Sequence, residues 1–176
     1  MARKLILYIS STLDGFIAGP NDDLSFLEPM AKEGEDYGYA DFVSGIDTVI
    51  IGRRTYDWVM AQGVESYHAD KEVYVITRSE KSSEGKLTYY SGDLAQLVVG
   101  LKQESGKDIY CDGGAQLVKS LLEADLLDEI ILSVVPVILG DGIRLFPEGI
   151  DSKNLELIGT KSYSTGMVQL HYRFKQ

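Results

Sequence analysis

The sequence has few of the residues that build disulfides, metal sites or membrane segments. It contains one cysteine, Cys111, so no internal disulfide can form, which fits a reducing compartment. Its two histidines, His68 and His171, lie far apart with no ligand-spaced cluster around them, which argues against a metal site. The apolar run over residues 5–9 is too short for a signal peptide or a membrane span. We therefore expect a cytoplasmic protein without a membrane partner, in which Cys111 is a small buried strand residue.

Basic residues are also few. The chain has 17 Lys and Arg against 27 Asp and Glu, which gives a net charge of −10. Such a chain repels nucleic acid unless its basic groups cluster. The clustered pair, Arg53 and Arg54, suits one phosphate group better than a polyanion. We expect a small-molecule ligand and no nucleic-acid partner.

The hydrophobic pattern alternates between strands and helices and ends in strands alone. Apolar runs rich in β-formers predict strands over residues 5–10, 47–51, 72–77, 87–90, 108–112 and 129–135. Helical spacing predicts helices over residues 36–44, 55–61, 94–103 and 115–123. Alternation over residues 155–163 and 167–174 predicts a C-terminal hairpin.

This order of elements predicts an α/β fold. Strands that alternate with helices form a parallel sheet covered on both faces, and the final hairpin adds an antiparallel edge. The expected architecture is therefore a three-layer α/β/α fold with a mostly parallel central sheet. Neither a linker nor a repeat interrupts the 176 residues, so we expect residues 1–176 to form a single domain.

Two glycine turns each follow a predicted strand and precede a predicted helix. The first is Gly52-Arg53-Arg54-Thr55, where free N–H groups, a hydroxyl and bidentate arginines could bind a phosphate. The alternative is a helix start with solvated arginines. The second is Asp112-Gly113-Gly114-Ala115, which alone could be an ordinary turn. Together they suggest a nucleotide with more than one anionic group.

The order of these motifs resembles the dihydrofolate reductase superfamily. The likeness is greatest to the reductase domain of the riboflavin-biosynthesis deaminase–reductase and its stand-alone relatives, and it runs from about residue 4 to residue 174. Because no deaminase zinc motif precedes it, the resemblance implies the reductase part alone. The matching segments are Ile-Ser-Ser-Thr-Leu-Asp-Gly-Phe-Ile-Ala-Gly (9–19), Val-Ile-Ile-Gly-Arg-Arg-Thr-Tyr (49–56), Val-Ile-Thr-Arg (75–78), Asp-Gly-Gly-Ala-Gln-Leu-Val (112–118), Leu-Leu-Asp-Glu-Ile (126–130) and Pro-Val-Ile-Leu-Gly (136–140).

The resemblance implies NADPH as hydride donor. It assigns the pyrophosphate and the ribose 2′-phosphate to Gly52, Arg53, Arg54 and Thr55, with Gly113, Gly114, Ala115 and Gln116 on the other side of the pyrophosphate. It places the adenosine end along Thr77 and Arg78, and the nicotinamide against Ser10, Ile17 and Ala18. Family members are often dimers, so a homodimer is expected.

The sequence offers two candidate catalytic carboxylates. Asp36 lies at a distance before Gly52 comparable to that of the carboxylate of dihydrofolate reductases, and could relay a proton or bind substrate. The alternative is a charge favoured by a helix N-terminus. Asp14 is the second candidate, and it could instead belong to a simple turn. Residues 22–39 are acidic, and no second basic cluster is recognisable there for a phosphoribosyl substrate.

The expected function is hydride transfer from NADPH to a small heterocyclic substrate, pteridine- or pyrimidine-like, of the 5-amino-6-(5-phosphoribosylamino)uracil reductase or dihydrofolate reductase type. One alternative is a non-catalytic NADP-binding protein, such as a sensor. Another is an interaction module that kept the fold and lost the site.

Overall fold

The computed structural model describes residues 2–64, 67–79 and 81–175. Its strands are β1 Leu5–Thr12, β2 Phe16–Ala18, β3 Ile46–Gly52, β4 Glu72–Ile76, β5 Leu87–Tyr90, β6 Asp108–Gly113, β7 Glu129–Val135, β8 Ile143–Arg144, β9 Leu155–Ser162 and β10 Val168–Phe174. Its α-helices are α1 Tyr39–Ser44, α2 Arg53–Ala61, α3 Leu94–Gln103 and α4 Ala115–Glu123, and short 3-10 turns span Pro20–Asp22 and Ser25–Met30.

An eight-stranded sheet in the order β5-β4-β3-β6-β1-β7-β10-β9 forms the centre of the molecule. The strands from β5 to β7 pair in parallel, while β10 pairs antiparallel with both β7 and β9. β1 lies inside the parallel part, where Leu7 pairs with Cys111 of β6 and with Ile130 of β7. This arrangement confirms the predicted mostly parallel sheet with an antiparallel C-terminal hairpin.

Helices cover both faces of the sheet because each carries an apolar stripe. On one face, Leu117, Val118 and Leu121 of α4 and Val98 of α3 pack against Leu7 and its neighbours on the strands. Burial of such side chains stabilises a fold by roughly 25 cal/mol per Å² of apolar surface. On the other face, a second buried cluster joins residues of α1 and α2 to the strands: Phe42, Tyr56, Met60, Ile51 and Val75.

The structure differs from the sequence prediction mainly at element ends. α1 begins at Tyr39 instead of residue 36, because Gly38 immediately before it adopts a left-handed conformation with φ of +81°. α2 begins at Arg53, two residues earlier than predicted, directly after the end of β3. The pair formed by β2 and β8 was not predicted, since strands of three and two residues are too short for an alternation pattern.

Cys111 is fully buried in β6, as the sequence indicated. Burial raises the pKa of its thiol to about 12, so the side chain is a neutral, apolar neighbour to the strands around it.

Candidate cofactor and active site

The predicted phosphate turns lie side by side at one edge of the sheet. Because β3, β4 and β6 run in parallel, their carboxyl ends meet at the same edge, which we call the carboxyl edge. The register pairs Ile51 with Gly113 and Gly52 with Ile76. The two glycine turns, 60 positions apart in sequence, are therefore neighbours in space.

The turns approach each other so closely that a side chain would not fit between them. A Cβ added at Gly114 would lie 2.7 Å from Oγ1 of Thr55, and one added at Gly52 would lie 3.4 Å from the carbonyl oxygen of Gly113. Gly113 itself has φ of +91°, a conformation that other residues rarely adopt. Gly114 therefore has no room for a side chain unless Thr55 shifts, Gly113 is favoured by its backbone conformation, and Gly52 is in van der Waals contact with the second turn.

Two helices begin at these turns. Gly52 is the N-cap of α2 and Gly114 is the N-cap of α4, and neither helix start has a capping side chain. The first N–H groups of a helix have no partner inside it, and the helix dipole places partial positive charge there. The first turn of α2 contains Arg53, Arg54 and Thr55, so two electropositive helix starts and two guanidinium groups lie at one place.

Both arginines hold a carboxylate. Arg53 donates from Nε to both oxygens of Asp57, at 2.7 and 2.6 Å, and its guanidinium carbon lies 5.3 Å from the centre of the Tyr89 ring. Arg54 donates from Nη2 to both oxygens of Asp22 at 2.8 Å. Exposed pairs of this kind contribute about 0–1 kcal/mol, so a phosphate can displace the carboxylates at low cost.

Thr77 and Arg78 follow β4 on the side of Gly52 that faces β5. The backbone N–H of Thr77 donates to the carbonyl of Tyr90 at 2.9 Å, and Arg78 is exposed. Both residues therefore lie beyond Arg53 along the carboxyl edge, where the resemblance places the adenosine end.

The residues assigned to the nicotinamide lie at the end of β1 and in β2. Ser10 is half-buried in β1 and pairs in register with Ser133 of β7. Ile17 packs against the core on the α4 side, and Ala18 is buried in the β2–β8 pair. Ala115 and Gln116, which the resemblance assigns to the pyrophosphate, lie in the first turn of α4.

Asp14 joins two loops. Its carboxylate accepts a hydrogen bond from the hydroxyl of Thr12 at 2.6 Å. It also accepts hydrogen bonds from the backbone N–H groups of Leu139 and Gly140, at 3.0 and 2.7 Å. The hydrogen bond from Thr12, followed by those from the backbone, lowers the pKa of Asp14 to about 2. Asp14 is therefore ionised at neutral pH, and the geometry favours the turn role over proton donation.

Asp36 lies just before α1. Its carboxylate accepts the backbone N–H groups of Ala40 at 3.0 Å and Gly38 at 2.9 Å. These bonds, the one from Ala40 first, hold the pKa of Asp36 below its usual range. The geometry favours the alternative stated for this residue, an ionised carboxylate at a helix start.

Asp112, a carboxyl group whose pKa is raised instead of lowered, was not singled out from the sequence. It ends the regular pairing of β6 immediately before Gly113, and it accepts hydrogen bonds from the hydroxyl groups of Tyr67 and Tyr110. Burial raises the pKa of Asp112, and the two hydroxyl groups offset only part of that shift. The sequence signal was an acidic residue next to a glycine pair, but Tyr67 lies too far along the chain to be linked with it.

Aromatic side chains surround Asp112. We call this group the aromatic cluster: Tyr8, Tyr39, Phe42, Tyr67, His68 and Tyr110. Tyr8 stacks on Phe42 with ring centres 4.6 Å apart, and the Tyr39 hydroxyl lies 3.3 Å from Nε2 of His68. Burial raises the pKa of Tyr39 to about 12 and lowers that of His68, so the cluster is neutral at pH 7.

Comparison with known proteins identifies the family of the chain. The model of the RibD C-terminal domain family matches residues 3–169. The chain belongs to this family. A relative, the uncharacterized protein YwjB of Bacillus subtilis, is 41% identical over 173 residues, which are 98% of each chain.

Solved structures of RibD-type proteins share the fold. A Shewanella protein provisionally named a riboflavin biosynthesis protein superposes over the full length of both chains with a TM-score of 0.89 and 26% identity. The Thermotoga maritima diaminohydroxyphosphoribosylaminopyrimidine deaminase/5-amino-6-(5-phosphoribosylamino)uracil reductase matches 99% of this chain and 57% of its own, with a TM-score of 0.71 and 15% identity. These matches confirm the resemblance inferred from the motifs and the reductase-type fold.

No helix in residues 2–64, 67–79 and 81–175 is long and apolar enough to cross a membrane. Within the same residues, no three His, Cys, Asp or Glu side chains are grouped so that they could hold a metal ion.

Proposed function

We propose that the protein is an NADPH-dependent reductase that transfers hydride to a small heterocyclic substrate, pteridine- or pyrimidine-like. One observation carries the proposal: the starts of α2 and α4 meet across Gly52 and Gly114, at the end of the strand that carries Asp112. The reductase domains of this family use NADPH, which supports the choice of cofactor.

The residues present fit a dinucleotide. The starts of α2 and α4 lie at the same edge, where the first N–H groups of both helices can bind phosphate oxygens. Each arginine donates to its carboxylate from one nitrogen, and Arg53 and Arg54 can exchange Asp57 and Asp22 for phosphate oxygens, which a guanidinium group can bind with two nitrogens at once. A second guanidinium favours NADPH over NADH, because the 2′-phosphate distinguishes the two.

NADPH, when bound, supplies the hydride. The reduced substrate also needs a proton, and Asp112 is the carboxyl group at this edge whose pKa is raised. Tyr67 and Tyr110 fix its orientation through their hydroxyl groups. Asp14 and Asp36 have lowered pKa values, so they are poorer acids for this step.

The test is a titration with NADPH and NADH, followed by the fluorescence of Trp58 in α2 and by thermal shift. We expect micromolar NADPH binding that is much tighter than NADH binding and is lost in the double variant Arg53→Ala/Arg54→Ala. Arg173→Ala, a loss of charge in β10 away from the glycine turns, is the control.

The outcomes separate the alternatives. If neither nucleotide binds, the proposal is wrong. If NADPH binds tightly but no pteridine or pyrimidine is reduced, a non-catalytic NADP-binding protein explains the result better.

A further inference from the structure

The aromatic cluster is a surface for a flat ring. Leu7 of β1 pairs with Cys111 of β6, and Tyr8 and Asp112 are the next residues of these two neighbouring strands. Tyr8 and Phe42 are half-buried, and Tyr39 at the start of α1 remains 36% exposed. Stacked and edge-on aromatic side chains with one exposed face are suited to a planar heterocycle.

The polar group in this surface is an acceptor of hydrogen bonds. The two carboxyl oxygens of Asp112 have acceptor capacity beyond the hydrogen bonds that they receive from Tyr67 and Tyr110. The remaining acceptor positions favour a ring edge that carries N–H or amino donors. A ligand without such donors would leave these oxygens poorly solvated.

Charge around the cluster is negative. Burial raises the pKa of Tyr8, and the charge of Asp36, which is held ionised by backbone hydrogen bonds, adds to this. Lys71 and Lys161 have other partners: Lys71 is paired with Asp70 at 2.8 Å, and Lys161 lies 4.7 Å from the centre of the Tyr163 ring.

This environment contrasts with that of Arg53 and Arg54. A phosphate dianion held beside Asp36, whose lowered pKa keeps it ionised, would be repelled by that carboxylate. Resting on the proposed function, we infer that the substrate is a planar heterocycle with hydrogen-bond donors and no phosphate group, bound on the aromatic cluster with its donor edge toward Asp112. The phosphate-binding capacity of the chain then serves the cofactor alone.

The test uses ligands that differ in phosphate alone. 5-Amino-6-ribitylaminouracil and its 5′-phosphate share the ring and the sugar chain, and pterin provides a second ring without phosphate. Dissociation constants are measured by calorimetry on the full chain, with and without NADPH. We expect the ribityl compound to bind about tenfold more tightly than its phosphate, a difference of about 1.4 kcal/mol.

Charge variants sharpen the comparison. Asp36→Asn should reduce the tenfold preference, and Asp112→Asn should weaken binding of all three rings. Asp151→Asn, which removes one negative charge from an exposed residue before β9, should leave both measurements unchanged.

Equal affinity, tighter binding of the phosphate, or no binding of any ring at millimolar concentration would overturn the inference. Since the rings are also titrated without NADPH, failure of the cofactor to bind is seen separately and counts against the proposed function alone. If Asp36→Asn does not fold, the comparison on the unaltered chain still decides.

Discussion

At the two edges of the parallel sheet, the pKa of a buried acid is shifted in opposite directions. At the amino edge, Glu129 at the start of β7 accepts Nζ of Lys4 at 2.8 Å and lies 2.8 Å from Nε2 of His171. Burial alone would raise the pKa of Glu129, but hydrogen bonds from these partners outweigh it and hold the pKa below its usual range. At the carboxyl edge, Asp112 has two neutral phenols as partners, and burial raises its pKa by more than their hydrogen bonds lower it.

The difference shows that a buried carboxyl group can serve either stability or chemistry, depending on its partners. A carboxylate paired with cations stays ionised and contributes to stability. A carboxyl group paired with neutral hydroxyls is held closer to its protonated form, which costs stability but provides an acid near the cofactor turns.

The largest expected effect is that of Asp112→Asn on turnover. Loss of the acid should lower turnover by about 10²–10⁴-fold, with NADPH affinity retained. The stability of the variant relative to the unaltered protein should increase as pH rises. Folding raises the pKa of Asp112 above its ordinary value of 3.8, so the unaltered protein loses stability as pH rises past that value, and the neutral amide does not. Denaturant melts at pH 4 and pH 7 should show the variant gaining relative stability at pH 7, and a loss there would contradict this account.

Gly114→Ala should have the next largest effect. The added methyl group would lie 2.7 Å from Oγ1 of Thr55, so the Thr55 side chain or the turns themselves must shift, and we expect NADPH affinity to fall by about a hundredfold. Gly100→Ala is the matched control, since Gly100 lies in α3 with no heavy atom within 4 Å of an added Cβ. That control should bind NADPH normally and gain about 0.5–1 kcal/mol of stability.

At the amino edge, Glu129→Gln should lower the free energy of unfolding by about 1–2 kcal/mol at pH 7. Because the folded pKa of Glu129 lies below its ordinary value of 4.5, this stability is fully present above pH 4.5 and is lost as pH falls through the folded pKa. The deficit of the variant should therefore shrink in acid, as urea melts across pH 3–7 would reveal. NADPH titration should be unaffected, because the site lies at the other edge.

The smallest effect is expected from Tyr67→Phe. Removing one hydroxyl donor from Asp112 should raise the pKa of that carboxyl further and move the pH–rate profile upward by less than about one unit. Tyr90→Phe, which removes a hydroxyl that donates to the carbonyl of Asp93 at 2.9 Å, is the control with an unchanged profile. An unchanged profile in Tyr67→Phe would show that Asp112 is not the titrating acid.

The sequence predicted the sheet, its helices and the meeting of the glycine turns, because these depend on local periodicity and on the rule that parallel strands end at one edge. It could not predict the partner of each charged group. Asp14 and Asp36 were candidate acids on position alone, whereas their low pKa values come from backbone N–H groups that turn geometry brings to them. Asp112 gains its character from Tyr67 in the loop before β4 and from its neighbour Tyr110, and only folding brings all three together.

The central position of β1 has a consequence for biosynthesis. Leu5 leaves the ribosome about 100 positions before its partner Ile109, and the β7 partners of β1 come later still. Until then the nascent chain carries an apolar strand with both hydrogen-bonding edges open, which invites pairing with other chains. We therefore expect a growing chain that stalls before β6 to need a chaperone, whereas one released after β7 can close its innermost strand unaided.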